Sequence, residues 1–212
     1  MDAGVDFGNM CSMVLGQELG RYYYCLKNLY TLAPDNLKEL AKQFIDFNKH
    51  HKNKVLNLYY DRSGNQYAQM KKDWATELQN HIEKYDGVAT GWKVVLKSKN
   101  QRTIYHDEEF NYAKKLMGEY YDGIPKLKID RYQCRELKSS LELSKTKMKK
   151  NTRTGSIEVL KDKSSEKLEL KKLPMQSTNF SDAFKYLMWR PEWVKVASNK
   201  KGSAMMEPSV MD

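Results

Sequence analysis

Cysteine is scarce in this chain: Cys11, Cys25 and Cys134 are the only three, and they stand far apart. That spacing excludes a disulfide framework and offers no zinc-binding pair. Reduced, structural thiols in a cytosolic setting are the expectation. Long apolar runs are missing too, and no stretch approaches the roughly 20 residues of a membrane-spanning helix. No signal-peptide pattern precedes the first expected strand, so a soluble, intracellular protein without a membrane partner is expected. There is no internal repeat. Nor is there a GxxxxGK[ST] run, which excludes a P-loop for nucleotide phosphates.

What is abundant is positive charge. With 37 Lys and Arg against 27 Asp and Glu, the net charge is +10 and the pI about 9.3. Such a balance favours a polyanionic partner, nucleic acid first. A hydrophobic share of 40% over 212 residues suits one domain with a real core.

The stretch Ala3-Gly4-Val5-Asp6-Phe7-Gly8-Asn9 reads as a strand in which Asp6 shares its face with glycines alone. Glycine inside a strand marks close approach to the backbone, and an open face beside a carboxylate suits a metal ion carrying a phosphate. The strand is expected to continue through 10–15, turn over 16–20 and return along Arg21–Leu32 as one long strand or two short ones. Pro34 then opens an amphipathic helix to about His51, with Leu37, Leu40, Ala41, Phe44 and Ile45 inward. Lys54–Asp61 (KVLNLYYD) is an apolar run that meets an acid and then turn chemistry. It reads as a central strand with Asp61 at its C-terminal end, where open α/β sheets bind ligands.

Helices are expected over Trp74–Tyr85 and Asp107–Tyr121, the latter burying Phe110, Ala113, Met117 and Tyr120, with a strand over Gly91–Lys97 between them. Lys126–Asp130 reads as a short strand or an extended link, and Arg131–Ser144 as a short helix. This alternation argues an α/β fold. The lysine-dense segment 145–172 reads as a basic hairpin or ribbon insertion, either solvated surface or a set of phosphate contacts. Its Lys147, Lys149, Lys150, Arg153 and Lys163, with Arg62, are the candidate DNA-binding residues. Ser177–Arg190 (STNFSDAFKYLMWR) closes the fold as a helix with Ala183, Phe184, Leu187 and Met188 inward. Asp182, in its first turn, is expected to leave the core and to matter little for folding. Residues 194–212 are polar and are expected to form a disordered tail.

Three acids therefore stand out. If the first and central strands are neighbours, Asp6 and Asp61 converge, and the closing helix delivers Asp182. Oxygen-only ligands on a rigid sheet suit two hard cations about 4 Å apart.

The runs GVDFGN, NLYYDRSGN, CRELKSSLELS and STNFSDAFKYLMWRPEW resemble the C-terminal nuclease domain of the large terminase subunit of tailed bacteriophages, over nearly the whole chain to about Trp193. That resemblance implies an α/β, ribonuclease H-like fold over residues 1–193, a central mixed sheet flanked by helices. It implies a metal-dependent endonuclease that cuts concatemeric viral DNA during genome packaging, with Asp6, Asp61 and Asp182 as catalytic residues holding two Mg²⁺ or Mn²⁺ ions. Double-stranded DNA, the terminase ATPase domain, the small terminase subunit and the portal are the implied partners, in the cytoplasm of an infected or lysogenic bacterial host. The family's N-terminal ATPase motor has no counterpart in this chain. Asn179 and Ser181 stand where some relatives carry a further acid or histidine. Two other readings compete: a Holliday-junction resolvase or integrase-like nuclease of the same fold, and a non-catalytic DNA-binding module.

Overall fold

Aromatic and β-branched residues favour pleated, half-buried surfaces, and six segments of that composition make one sheet. The computed structural model describes residues 1–34, 37–61, 66–67, 72–99, 106–150, 155 and 157–201. β1 (Asp2–Asp6) reverses over residues 7–9 into β2 (Met10–Leu19), and β3 (Tyr22–Leu32) returns after a turn at Gly20. The first strand thus ends at Asp6 instead of running on to Leu15, and Arg21–Leu32 forms one strand, not two. α1 (Leu37–Phe47) leads to β4 (Val55–Tyr60). Two-residue ladders β5 (Gln66–Tyr67) with β6 (Lys72–Asp73), and β7 (Lys84–Tyr85) with β8 (Val88–Ala89), flank α2 (Trp74–Glu83). β9 (Lys93–Leu96), α3 (His106–Met117), β10 (Lys126–Ile129) and α4 (Arg135–Leu143) follow. β11 (Thr146–Lys150) and β12 (Ile157–Lys161) pair as an antiparallel hairpin outside the main sheet. The chain then forms α5 (Leu173–Gln176), α6 (Asn179–Met188) and α7 (Pro191–Lys201).

The sheet order is β10-β3-β2-β1-β4-β9. β1, β2 and β3 form an antiparallel meander, β4 and β9 run parallel to β1, and β10 runs parallel to β3. This is a mixed α/β sheet with helices on both faces. Ala3 and Val5 bury on the face covered by α1 and α2, against Phe44 and Leu78. The other face carries α3, α4, α6 and α7, with Met10, Val14 and Tyr59 packed against Phe180, Phe184 and Leu187.

α6 lies across β1 and is fixed at three heights. At Gly4, an added Cβ would fall 2.0 Å from the Ala183 carbonyl oxygen and 2.6 Å from Leu187 Cβ, so the helix backbone rests on the bare strand. The close approach expected from this glycine is therefore made by α6, and the space is not left open for a ligand. Below it, Arg190 Nη2 donates to Asp2 Oδ2 at 2.9 Å, with its guanidinium 4.4 Å from the Tyr23 ring centre. Above it, Asn179 Nδ2 donates to Asp6 Oδ2 at 3.3 Å. Gly4→Ala is expected to lift α6 and cost about 1–3 kcal/mol by overpacking. An unchanged midpoint in urea would show that the helix can slide instead.

Two expectations are corrected here. α3 ends at Met117, turns Phe110 and Met117 toward solvent and buries Tyr112 and Leu116, and Tyr120, past its end, is exposed too. It carries aromatics on both faces, and Tyr112 wins the core place by stacking with Tyr121 and meeting Trp189 edge-on. The chain past Trp193 is not a disordered tail over its first residues. α7 continues through Lys201, burying Trp193 and Ala197 against the same core.

Candidate active site

The parallel register of β1 and β4 runs from Asp2 opposite Asn57 to Val5 opposite Tyr60. Asp6 and Asp61 are the next residue of each strand, so both carboxylates belong to one sheet edge. Ser12 stands opposite Asp6 across the antiparallel ladder and is fully buried. Its Oγ has no hydrogen-bond partner among the described residues. Asp61 is half-buried. The N-terminal turn of α6 brings Asp182 to the same place, close enough that its charge acts on Asp6.

The electrostatics of the two acids are opposite. Burial pushes the Asp6 carboxyl up to about 8, and the neighbouring Asp182 and Glu166 charges add to this while Lys163 and Lys161 offset part of it. Asp182 is fully buried, which on its own would also raise its pKa, but Lys185, Lys161 and Lys163 together hold it well below the usual carboxylate range. Lys161 Nζ donates to Asp182 Oδ1 at 2.7 Å and Lys185 Nζ to the same oxygen at 3.1 Å. Lys163 Nζ lies 3.3 Å from Asp182 Oδ2. Asp182 thus points into the protein and is caged by ammonium groups, contrary to the expectation that it leaves the core.

Lys161 closes β12, and Lys163 begins the turn that follows, so the basic hairpin delivers two of these three cations. Lys161 also donates to Ser181 Oγ at 2.6 Å and to the Thr178 carbonyl at 3.1 Å, which ties the hairpin to the start of α6. Lys163, expected to contact phosphates, is instead engaged with Asp182 and, at 3.6 Å, with Glu166 Oε1. Lys147 pairs with Asp162 at 3.7 Å and is exposed, as is Lys150. Lys149 lies in β11. Arg62 and Arg153 fall outside the described residues.

Among the described residues, no three His, Cys, Asp or Glu side chains stand as a ready metal cluster. The chemistry of the site nevertheless fits a hard divalent cation. Its acids offer oxygen donors only, and Ser12 Oγ is buried without a hydrogen-bond partner among the described residues. Glu166, Ser12 and Lys185 escaped the sequence reading, and Lys161, one of the lysines of 145–172 expected to meet phosphates, is instead bound to Asp182. Only Lys185 left a local signal, three residues after Asp182 on one helix face.

No family model and no curated protein matches this sequence. Solved structures do. The mixed sheet with helices on both faces is a fold shared with the large terminase of a bacteriophage. The large terminase of the thermophilic bacteriophage D6E superposes with a TM-score of 0.52 at 13% identity, over 88% of this chain and 38% of that one. Its complex with ATP-γ-S gives 0.52 at 14% identity, with 88% and 39% covered. The nuclease domain of the SPP1 large terminase, solved with bound Mn, gives 0.45 at 16% identity, with 88% of this chain and 83% of that domain covered. This chain therefore spans well under half of the D6E protein, and at such identities the likeness is one of fold.

Proposed function

We propose that this chain is the nuclease module of a terminase large subunit: a metal-dependent endonuclease that cuts double-stranded viral DNA during packaging in a bacterial host. The observation that carries this is the meeting of Asp6 and Asp182, with Asp61 one register step from Asp6, at one end of a ribonuclease H-like sheet. Asp6, Asp61 and Asp182 would hold the Mg²⁺ or Mn²⁺, two ions in the full reading. Bound there, the metal supplies an activated water and charge neutralisation for phosphodiester hydrolysis.

The chain's own residues prepare that chemistry. Asn179 fixes the Asp6 carboxylate through Oδ2, leaving Oδ1 to turn toward a ligand. Arg190 and Gly4 hold α6 at one height on β1, and so set where Asp182 meets Asp6. Lys147 and Lys150 on the exposed hairpin would meet backbone phosphates, a contact that carries no sequence code. The ATPase domain, small subunit and portal are the partners this reading assigns to the complete machine.

The test is nicking of supercoiled plasmid with Mn²⁺, with EDTA, and in the Asp6→Asn variant. Nicking by the wild type with Mn²⁺ alone is expected, with a loss of about 100-fold or more in the variant, the scale of removing one group from an electrostatic catalytic constellation. Metal-independent binding without cleavage would instead make the chain a DNA-binding module. A strong preference for branched over linear duplex would make it a resolvase.

A further inference from the structure

β10 accompanies β3 only as far as Cys25, and the strand edge beyond it borders a cleft of about 760 Å³ between α1 and the start of α4. That lies within the range of ordinary small-ligand sites, about 300–1,000 Å³. Asn28 lines the cleft and is only 5% exposed, yet neither its side-chain oxygen nor its side-chain nitrogen has a hydrogen-bond partner among the described residues. A buried amide left unpaired costs the desolvation of both groups. Tyr132 also lines the cleft and is 78% exposed, with the Arg131 guanidinium 5.1 Å from its ring centre. The turn that carries it is fixed in place. Asp130 Oδ1 accepts from the backbone N–H of Tyr132 at 2.9 Å and of Gln133 at 2.8 Å, and the Asn28 N–H donates to the Gln133 carbonyl at 3.1 Å. Along the walls Lys27, Arg131 and Arg135 outnumber Asp46 and Glu136, which suits a ligand with an anionic part and with groups that donate and accept.

The cleft is level with the candidate active site. Tyr30, another lining residue, stands opposite Ser12, and Ser12 stands opposite Asp6. Two strand spacings, about 10 Å, therefore separate Tyr30 from Asp6. Tyr30 meets Phe180 of α6 edge-on, and Asn28, two residues earlier, shares that face of the sheet. Asp6 bonds Asn179 of the same helix, so all three belong to one face.

We propose that this cleft holds one unpaired nucleotide of a DNA strand: Tyr132 stacks on its base, the Asn28 amide bonds the base edge, and Arg131 and Arg135 meet the flanking phosphates. The inference rests on the nuclease reading above, which supplies DNA as the ligand. An exposed ring beside guanidinium groups is a stacking surface for bases. A base within a duplex is covered on both faces, so only an unpaired one can use that ring. An amide with its donor and acceptor both free matches the adjacent donor and acceptor of a base edge. The amide is covered in this structure, so the base reaches it only as a neighbouring side chain moves aside.

The experiment is fluorescence anisotropy of a labelled single strand of about 12 nucleotides, and of the matching duplex, in EDTA so that neither is cut. Tyr132→Ala should weaken single-strand binding about tenfold and leave duplex binding within about twofold. Tyr132→Phe keeps the stacking ring and should match the wild type. Asn28→Leu removes the two unpaired groups at similar volume. It should raise the melting temperature by about 2–4 °C while weakening single-strand binding about fivefold. A rise in melting temperature with unchanged affinity overturns the role of Asn28. Single-strand binding that is absent in the wild type, unmoved by Tyr132→Ala, or weakened equally with duplex binding overturns the site, even where Mn²⁺-dependent nicking of plasmid leaves the nuclease reading intact. Strand-selective loss in Tyr132→Ala supports the site, and it does so even if nicking fails and sinks the nuclease reading alone.

Discussion

Asp182→Asn is expected to destabilise the protein by about 3–5 kcal/mol, the usual cost of removing one partner from a buried ion pair. The carboxylate is fully buried, and Lys161 and Lys185, each only 11% exposed at the side chain, have it as their shared counter-ion. Asparagine fills the same volume and can accept one hydrogen bond, but withdraws the carboxylate charge that Lys161 and Lys185 both face. Lys163 is half-exposed and can relax into water, so its share of the loss is small. The effect on melting temperature should be on the order of 10 °C. A second substitution, Lys161→Met, should recover part of it, because removing both partners of a buried pair costs less than removing one. The pH dependence has a definite sign. A depressed carboxyl pKa contributes stability that is present above the ordinary value of 3.8 and is lost as pH falls through the lower folded value. Urea melts of the three proteins at neutral and acid pH would decide it. A loss below about 1 kcal/mol in Asp182→Asn would mean that the lysine cage is not holding this helix.

That result reverses what the sequence alone suggests for Asp182, and the reason is physical. An acid in the first turn of a helix, one residue before buried Ala183, has every local feature of an exposed dipole partner. Its cage comes from Lys161 and Lys163, about twenty residues upstream, in a run whose composition reads as solvated surface. Local pattern carries no record of such a distant pairing. Where the signal is local, the reading succeeds: the apolar run that becomes β4, just before Asp61, the period-two start of β1 and the inward stripe of α6 are all present, while the mixed sheet that joins the strands is what the family resemblance implies. Glu166 was invisible for the same reason as the cage. It is one acid in a lysine-rich turn, without periodicity, and only the return of that turn to α6 gives it neighbours. α3 was misread because both of its faces are aromatic, so composition could not choose between Phe110 and Tyr112. α7 was missed because it buries only Trp193 and Ala197 among polar residues.

Asp6→Asn should do the reverse of Asp182→Asn: stabilise the metal-free protein while abolishing its response to Mn²⁺. Asp6 is a carboxyl whose folded pKa is raised by burial and by Asp182 to about 8, from an ordinary value of 3.8. Between those values the folded protein holds a proton that the unfolded chain has released, so stability falls as pH rises through that window. At about pH 8 and above, the folded state must either keep that proton or carry adjacent buried charges, and asparagine does neither. Asp6 is half-buried at the sheet edge, so solvent screens part of the penalty. The expected gain is therefore about 1–3 kcal/mol near pH 8, shrinking toward zero as the pH falls to 3.8. Mn²⁺ offsets the same repulsion in the wild type, so it should raise the wild-type melting temperature and leave the variant unmoved. Melting curves of both proteins across this pH range, with and without Mn²⁺, test the two halves together. If Asp6→Asn is no more stable than wild type near pH 8, the Asp6 carboxyl is solvated rather than strained. If it also keeps the Mn²⁺ shift, Asp6 is not where the metal binds.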